Sequence, residues 1–208
     1  MSFDLLLLFI PAAFAINILP GPNNMLAMTN GLRYGLFDAM KGGLGRLVAF
    51  VILIVLTATG LGAILAASTT AFYALKIGGA IYLVYLGIRL WRSKTKDVED
   101  FGEPQRSKTS TYAIIRQEFL VAISNPKAIL VFTAFFPQFI DPVLPMLPQV
   151  TTMGIIFVFL EIIALFLYAI SGKQLAFLTR TQKGQRIMNR TSGSFLIAVG
   201  GLLATSSR

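Results

Sequence analysis

Apolar runs long enough to cross a bilayer recur along the chain, and they constrain the fold more than any other sequence feature. A transmembrane helix needs about 20 mostly apolar residues. Runs of about that length lie at residues 3–28, 42–67, 71–90, 112–136 and 152–171. A sixth run, 194–204, is shorter and needs Arg186 and Arg190 as ends that extend to the membrane surface. The pattern predicts an all-α, polytopic membrane protein with six transmembrane helices.

The composition agrees with a chain that lies within lipid. Of the 208 residues, 55% are apolar and 13% are charged, and the mean hydropathy is +0.73. Soluble domains carry about 25% charged residues, so these values exclude a disordered chain and argue against a water-soluble globule. Six spans and their connections use up the length, which predicts one domain over residues 1–208 with no separate soluble catalytic domain.

The chain contains no Cys and no His. This excludes disulfides, thiolate nucleophiles, histidine bases and His/Cys metal sites. The spans also lack the paired carboxylates or activated hydroxyl that a membrane-embedded enzyme needs. We therefore expect neither an enzyme nor a bound cofactor.

The Lys and Arg residues alternate with the spans. They number 18 against 9 Asp and Glu, which gives a net charge of +9. Most lie in the connections between spans one and two, three and four, and five and six, whereas the other two connections contain none. Cytoplasmic loops are enriched in Lys and Arg, so the pattern places these three loops in the cytoplasm and both termini outside. A nucleic-acid partner would require the charge on one surface, and we exclude it.

Prolines interrupt the first and the fourth span. The interruptions read Pro20-Gly21-Pro22-Asn23-Asn24 and Asn125-Pro126-Lys127. Irregular backbone at membrane depth is tolerated only where protein buries it or water reaches it. A helix that restarts near Asn23 would present free N–H groups and a positive dipole end, which suits a carboxylate. The alternative is a simple proline kink that the asparagines cap.

The two interruptions also suggest an internal repeat. With six spans, each half (about 1–91 and 112–208, around the polar connection 92–111) holds three, so the halves run in opposite orientation across the membrane. Each half begins with a span that proline interrupts, and an offset of 104 residues sets Pro22 opposite Pro126. Inverted repeats with broken helices are typical of secondary transporters, whose substrates bind at the breaks.

Ionisable residues inside the spans are further candidates. Each costs roughly 2.5–3.5 kcal/mol at the bilayer centre, so such groups usually face a cavity and have a function. Glu161 would carry a coupling proton or hold an ammonium group, and Lys127 would neutralise a substrate carboxylate. Alternatively, the two pair with each other, or with Lys76, as structural contacts. Arg46 is either an anchor at the cytoplasmic membrane surface or a substrate ligand.

Three blocks of the sequence resemble the LysE/RhtB family of amino-acid exporters. The first block is Pro20-Gly21-Pro22-Asn23, followed by Gly35 and the glycine-rich segment 42–45. The others are the segment 76–91 and Asn125-Pro126-Lys127-Ala128 with Phe132 and 136–139. The resemblance implies six spans, a bacterial inner membrane, and the export of amino acids or close derivatives, commonly coupled to protons. It also implies that residues 20–23 and 125–127 are functional.

The resemblance bears on the substrate as well. Some family members have an acidic residue near the glycines of span two, where this chain has Arg46. On the sequence, Glu161 is the only acidic residue deep in a span. A neutral amino acid such as threonine or homoserine is therefore a better substrate than lysine or arginine. The candidate substrate-binding residues are Pro20, Gly21, Pro22, Asn23, Asn24, Arg46, Asn125, Pro126, Lys127 and Glu161.

The expected partners are a small amino acid and the lipid bilayer. Glycine-rich helix faces suit a homodimer, but they equally suit packing within one chain. The competing hypothesis of the same architecture is a small-solute channel or a metal-cation transporter. Few intramembrane carboxylates are available to line such a path, which favours the exporter.

Overall fold

The computed structural model describes residues 3–92, 110–171 and 182–205, and in these ranges every regular element is helical. The helices are α1 (Phe3–Ile18), α2 (Pro22–Tyr34), α3 (Leu36–Ala67), α4 (Thr69–Trp91), α5 (Thr111–Ile123), α6 (Pro126–Leu130), α7 (Met146–Ile170) and α8 (Gln182–Thr205). A π-helical turn (Val131–Phe135) and a 3-10 turn (Phe136–Phe139) continue α6. Most of the polar connection predicted at 92–111 lies outside the described residues.

Two helices, α3 and α7, are long and apolar enough to cross a membrane without a break. Two bent pairs pass the same criterion when each counts as one span. One pair joins α1 to α2 at 59°. The other joins α5 to Lys127–Phe139, which we call the α6 segment, at 52°. The predicted all-α membrane fold is confirmed, with two clear spans and up to four in the described part of the chain. The apolar part of α4, Ile77–Arg89, is shorter, so the count of six stays a prediction.

The predicted interruption at Pro20-Gly21-Pro22 is confirmed. The helix α1 ends at Ile18, and Gly21 is extended, with φ −168° and ψ 175°. Pro22 then opens α2. Proline suits the first helical position because its missing N–H would have no partner there, whereas its ring would clash inside a continuous helix.

The interruption at Asn125-Pro126 is confirmed too. The helix α5 ends at Ile123, and Asn125 precedes α6 as its N-cap. The Asn125 side chain accepts a hydrogen bond from the backbone N–H of Lys127 at 3.0 Å. The π-helical turn that follows α6 was not predicted. Such turns commonly mark functional positions in helices.

The connection between α2 and α3 is much shorter than predicted. Span two was expected to begin at about residue 42, but α3 begins at Leu36 and only Gly35 separates it from α2. Gly35 has a φ of +86°, a backbone conformation that favours glycine. The polar residues Asp38 and Lys41 end the apolar run but not the helix, because both are compatible with helical backbone. Arg46 therefore lies about three turns inside α3.

Phenylalanines fill the space between α1, α3, α7 and the turns that follow α6. Most of their rings pack edge-to-face or tilted, for example Phe135 against Phe139 with centroids 4.8 Å apart, and Phe9 stacks on Phe135. The buried members are Phe9, Phe50, Phe132, Phe135, Phe136, Phe139 and Phe157. This aromatic core fixes α1 and the α6 segment against α7. It thereby sets where the two interruptions lie relative to each other.

Candidate functional site

A cluster of buried polar side chains lies where the two interruptions meet. We call it the polar cluster, and its members are Asn23, Asn24, Asn30, Arg46, Glu118, Asn125, Lys127 and Glu161. All are buried except Lys127, which is partly exposed. Such groups persist in an apolar protein only when they are paired.

Arg46 is the centre of the polar cluster and is fully buried. Its Nε and Nη2 donate to Glu118 Oε2 at 3.0 and 2.8 Å, and its Nη1 donates to Glu161 Oε1 at 2.9 Å. Nη1 also donates to Asn24 Oδ1 at 3.3 Å, and Nη2 donates to the backbone oxygen of Asn23. A guanidinium has five N–H groups, and these contacts use all five. Arg46 thus joins α3 to α2, α5 and α7.

Two sequence interpretations are corrected here. An anchor at the membrane surface would be exposed to headgroups, but the Arg46 side chain has no exposed surface. Glu161 is also not the only acidic residue deep in a span, because Glu118 is fully buried. Glu118 was missed because Arg116 and Gln117 precede it, so the segment resembles the polar end of a helix. The signal that would have found it is the buried arginine itself, which needs opposite charge nearby.

Two asparagines of α2 hold neighbouring helices in place, and Asn24 does so by satisfying backbone groups that the first interruption leaves unpaired. Asn24 Nδ2 donates to the carbonyl oxygens of Asn17 and Leu19, at 2.7 and 2.8 Å, near the end of α1. The last carbonyls of a helix have no partner within the helix, so these contacts replace missing hydrogen bonds. Asn30 Nδ2 donates to Glu118 Oε1 at 2.9 Å, which ties α2 to α5.

The second interruption contacts the first directly. Asn125 Nδ2 donates to Asn23 Oδ1. Lys127 Nζ donates to the Leu19 carbonyl oxygen at 2.9 Å. The Lys127 side chain also passes Gly21, since a Cβ on that glycine would lie 3.5 Å from Lys127 Cδ. The predicted residues of the two segments therefore come together.

Glu161 and Lys127 do not form the structural pair that was the alternative at the sequence level. Glu161 pairs with Arg46, and within residues 3–92, 110–171 and 182–205 no carboxylate lies within 4.0 Å of Lys127 Nζ. The side chains of Lys76 and Pro126 lie outside the described set. Pro20 and Pro22 contribute through the backbone break that they flank.

The polar cluster carries charges of both signs. It contains two cationic and two anionic side chains. Within the described part of the chain, no three Asp or Glu residues group closely enough to hold a metal ion. A cavity of about 340 Å³ opens elsewhere, between α3 and the segment after α6. Its lining, which includes Leu53, Leu56 and Phe132, is almost wholly apolar.

The sequence matches the model of the LysE type translocators over residues 14–207. The chain belongs to the LysE type translocator family. The resemblance that the three sequence blocks suggested is therefore confirmed. A LysE translocator is a transporter and not an enzyme.

This LysE translocator is similar to membrane proteins of several bacteria. It is 33% identical to an uncharacterized membrane protein of Vibrio cholerae over 99% of both chains. It is 30% identical to the homoserine/homoserine lactone efflux protein of Salmonella typhimurium over 99% of this chain and 98% of the relative. It is 30% identical to the leucine efflux protein of an Enterobacter species, over 64% of this chain and 62% of the relative. No solved structure matches the translocator.

Proposed function

We propose that this LysE translocator exports amino acids or close derivatives across the bacterial inner membrane. The observation that carries the proposal is the meeting of two interrupted helices at a buried cluster of both charge signs. An amino acid is a zwitterion, so it needs a cationic and an anionic or carbonyl-rich surface close together. The family match and relatives named for homoserine and leucine efflux support the same function.

The transport mechanism would be alternating access around the interruptions. In this arrangement six spans form two inverted halves, about 1–91 and 112–208, with both termini outside. The order of elements supports it, because α1–α4 and α5–α8 each begin with a helix pair that proline bends. The contact between Asn23 and Asn125 puts the two bends at one place, which is where such transporters bind their substrates.

The substrate would be a neutral amino acid resembling threonine or homoserine. Both carboxylates of the polar cluster already pair with Arg46. A second positive charge on the substrate side chain would find no unshared carboxylate in the polar cluster. This charge balance disfavours lysine and arginine as substrates.

Efflux from loaded proteoliposomes tests the proposal. The purified protein is reconstituted, and the vesicles are loaded in turn with homoserine, homoserine lactone, threonine, leucine and lysine. We expect saturable efflux of at least one neutral amino acid and little efflux of lysine. Vesicles with the folded protein that release none of these faster than protein-free vesicles would contradict amino-acid export. Non-saturable release of all solutes alike would indicate a channel instead.

A further inference from the structure

Two cationic side chains lie in the polar cluster, but they differ in how many of their N–H donors are already engaged in hydrogen bonds. All five N–H groups of Arg46 are engaged by Glu118, Glu161, Asn23 and Asn24. A substrate carboxylate would have to displace one of these acceptors and so weaken the pairing of a buried carboxylate or carbonyl. Arg46 is therefore an internal counter-ion and not a ligand for the transported anion.

Lys127, in contrast, has fewer of its N–H donors engaged by the described residues. Its Nζ carries three N–H donors, and in the described part of the chain its acceptor is the Leu19 carbonyl oxygen. The nearest ion pairs of the cluster belong to Arg46, and none includes Lys127. A cation held in a protein interior without its own carboxylate favours an anionic guest.

A second donor is Asn23 Nδ2, and the hydrogen bonds of Asn125 fix its orientation. The Lys127 backbone N–H can only donate, so the Asn125 atom that faces it must be the oxygen. The Asn125 amide nitrogen then faces Asn23, which must present its own oxygen. Asn23 Nδ2 is left pointing away from Asn125. It is buried and has no hydrogen-bond partner among the described residues.

These two donors lie at the start of α2. Asn23 is the second residue of that 13-residue helix, whose first-turn N–H groups have no partner within the helix. Lys127 Nζ lies 3.7 Å from where a Cβ on Gly21 would stand, directly before the helix. A methyl group added at Gly21 would thus occupy the space beside the Lys127 ammonium.

We infer that the carboxylate of the transported molecule binds at Lys127 Nζ, Asn23 Nδ2 and the first turn of α2, and not at Arg46. The inference rests on the proposed function for the nature of the ligand. It adds a chemical requirement, because the substrate must carry a free carboxylate. Carboxamides, esters and lactones of the same amino acid lack the anion and would bind more weakly.

Binding by the purified full-length protein tests this without relying on transport. Calorimetric titrations compare homoserine, threonine and leucine with their carboxamides, at a pH where all carry a protonated ammonium. We expect at least one free acid to bind, and its carboxamide to bind about tenfold or more weakly, as loss of a charge-assisted hydrogen bond predicts. Equal binding of an acid and its carboxamide, or no binding of any free acid, would overturn the inference.

Substitutions at three positions locate the site. Lys127→Gln and Asn23→Asp should each weaken binding of the free acid by about tenfold, the first by removing the cation and the second by replacing the spare donor with an oxygen. Lys127→Arg should retain most of the affinity. Gly21→Ala should fold normally, because its Cβ meets Lys127 only at ordinary contact distance, but it should weaken binding by obstructing the ammonium.

Matched controls separate binding from folding. Lys41→Gln changes a surface lysine, and Gly62→Ala adds a Cβ whose one contact among the described residues is Met146 Sδ at 3.7 Å. Both should leave affinity unchanged. Unaltered affinity in folded Lys127→Gln and Gly21→Ala proteins would overturn the inference. If binding follows the expected pattern but loaded vesicles show no efflux, the carboxylate site stands and the proposed export function fails.

Discussion

At the scale of single residues, the contacts of the polar cluster converge on Arg46. Glu118 and Glu161 lie on different helices, and each depends on the same guanidinium for its neutralisation. Removing one partner of a buried ion pair costs about 3–5 kcal/mol, because the other charge stays buried. The arginine therefore contributes to stability through both carboxylates at once.

Substitutions at Arg46 and Glu118 should not be additive. We expect Glu118→Leu to lower the free energy of unfolding by about 3–5 kcal/mol, and Arg46→Met to lower it more, because two carboxylates lose their partner. The double variant should cost less than the sum of the single ones, since contacting residues are coupled. Chemical unfolding in detergent micelles measures all three, and strict additivity would contradict the pairing.

Glu161 is the residue that we expect to link efflux to protons. Its Oε1 accepts from Arg46, whereas its Oε2 accepts no hydrogen bond from the described residues. Glu161→Gln should reduce efflux that an imposed pH gradient drives to the level seen without a gradient. Proton flux and substrate flux in the same proteoliposomes measure this. Asp38→Asn, a change at a half-exposed surface carboxylate, is the control. Unchanged coupled efflux in Glu161→Gln would remove this residue from the mechanism.

The residues that sequence reasoning found are all marked by their immediate sequence neighbours. Asn23, Asn125 and Lys127 stand beside a proline, which is visible in any sequence, and Glu161 stands alone in an apolar run. Glu118 stands among polar neighbours and has no such contrast. Its role depends on α5 packing against α3, a contact between residues 72 positions apart that no local pattern reports.

At the scale of helices, the close approach of α3 to α5 depends on glycine. A Cβ on Gly45 would overlap the Ile115 carbonyl oxygen, and it would lie 3.1 Å from the Phe119 backbone nitrogen. Backbone atoms cannot move aside as side chains do. Because Arg46 follows Gly45 directly, the same approach brings the guanidinium to Glu118.

Alanine substitutions at two glycines of α3 should therefore have opposite effects. Gly45→Ala should destabilise the protein by about 1–3 kcal/mol or more, since overpacking separates the helices. Gly60→Ala should be neutral or stabilising by up to about 1 kcal/mol, because its Cβ meets no described residue within 4 Å and alanine is the better helix former. Thermal unfolding of the purified variants measures both. Equal stability of the two variants would contradict the packing described.

The sequence predicted the helix interruptions better than the helix bounds. Proline acts through its own ring and missing N–H, so its effect is local and visible in the sequence. The start of α3 was misplaced because the apolar run begins later than the helix, which continues outward through Asp38 and Lys41. The π-helical turn after α6 carries no sequence signal, since it arises from how the phenylalanines pack.

At the scale of the whole molecule, the charge distribution predicts the orientation in the membrane. The chain lacks cysteine, so any introduced cysteine is its only thiol. Val143 is highly exposed in the connection before α7, and Ser110 is exposed at the start of α5. We expect Val143→Cys to react with a membrane-impermeant maleimide in intact cells, and Ser110→Cys to react only after permeabilisation. The reverse pattern would contradict the predicted orientation.

A homodimer stays a prediction that rests on the glycine-rich helix faces alone.

The full engagement of Arg46 restricts how the protein changes shape. Four helices, α2, α3, α5 and α7, are fastened to one another through a single guanidinium. Pulling any of them away would strand an ion or a donor in hydrocarbon. These helices should therefore travel as one rigid frame during a transport cycle. The aromatic core holds α1 and the phenylalanine-rich segment after α6 against α7, so they belong to the same frame. Among the described helices, α4 and α8 lie outside it, and opening to either side of the membrane should fall to them.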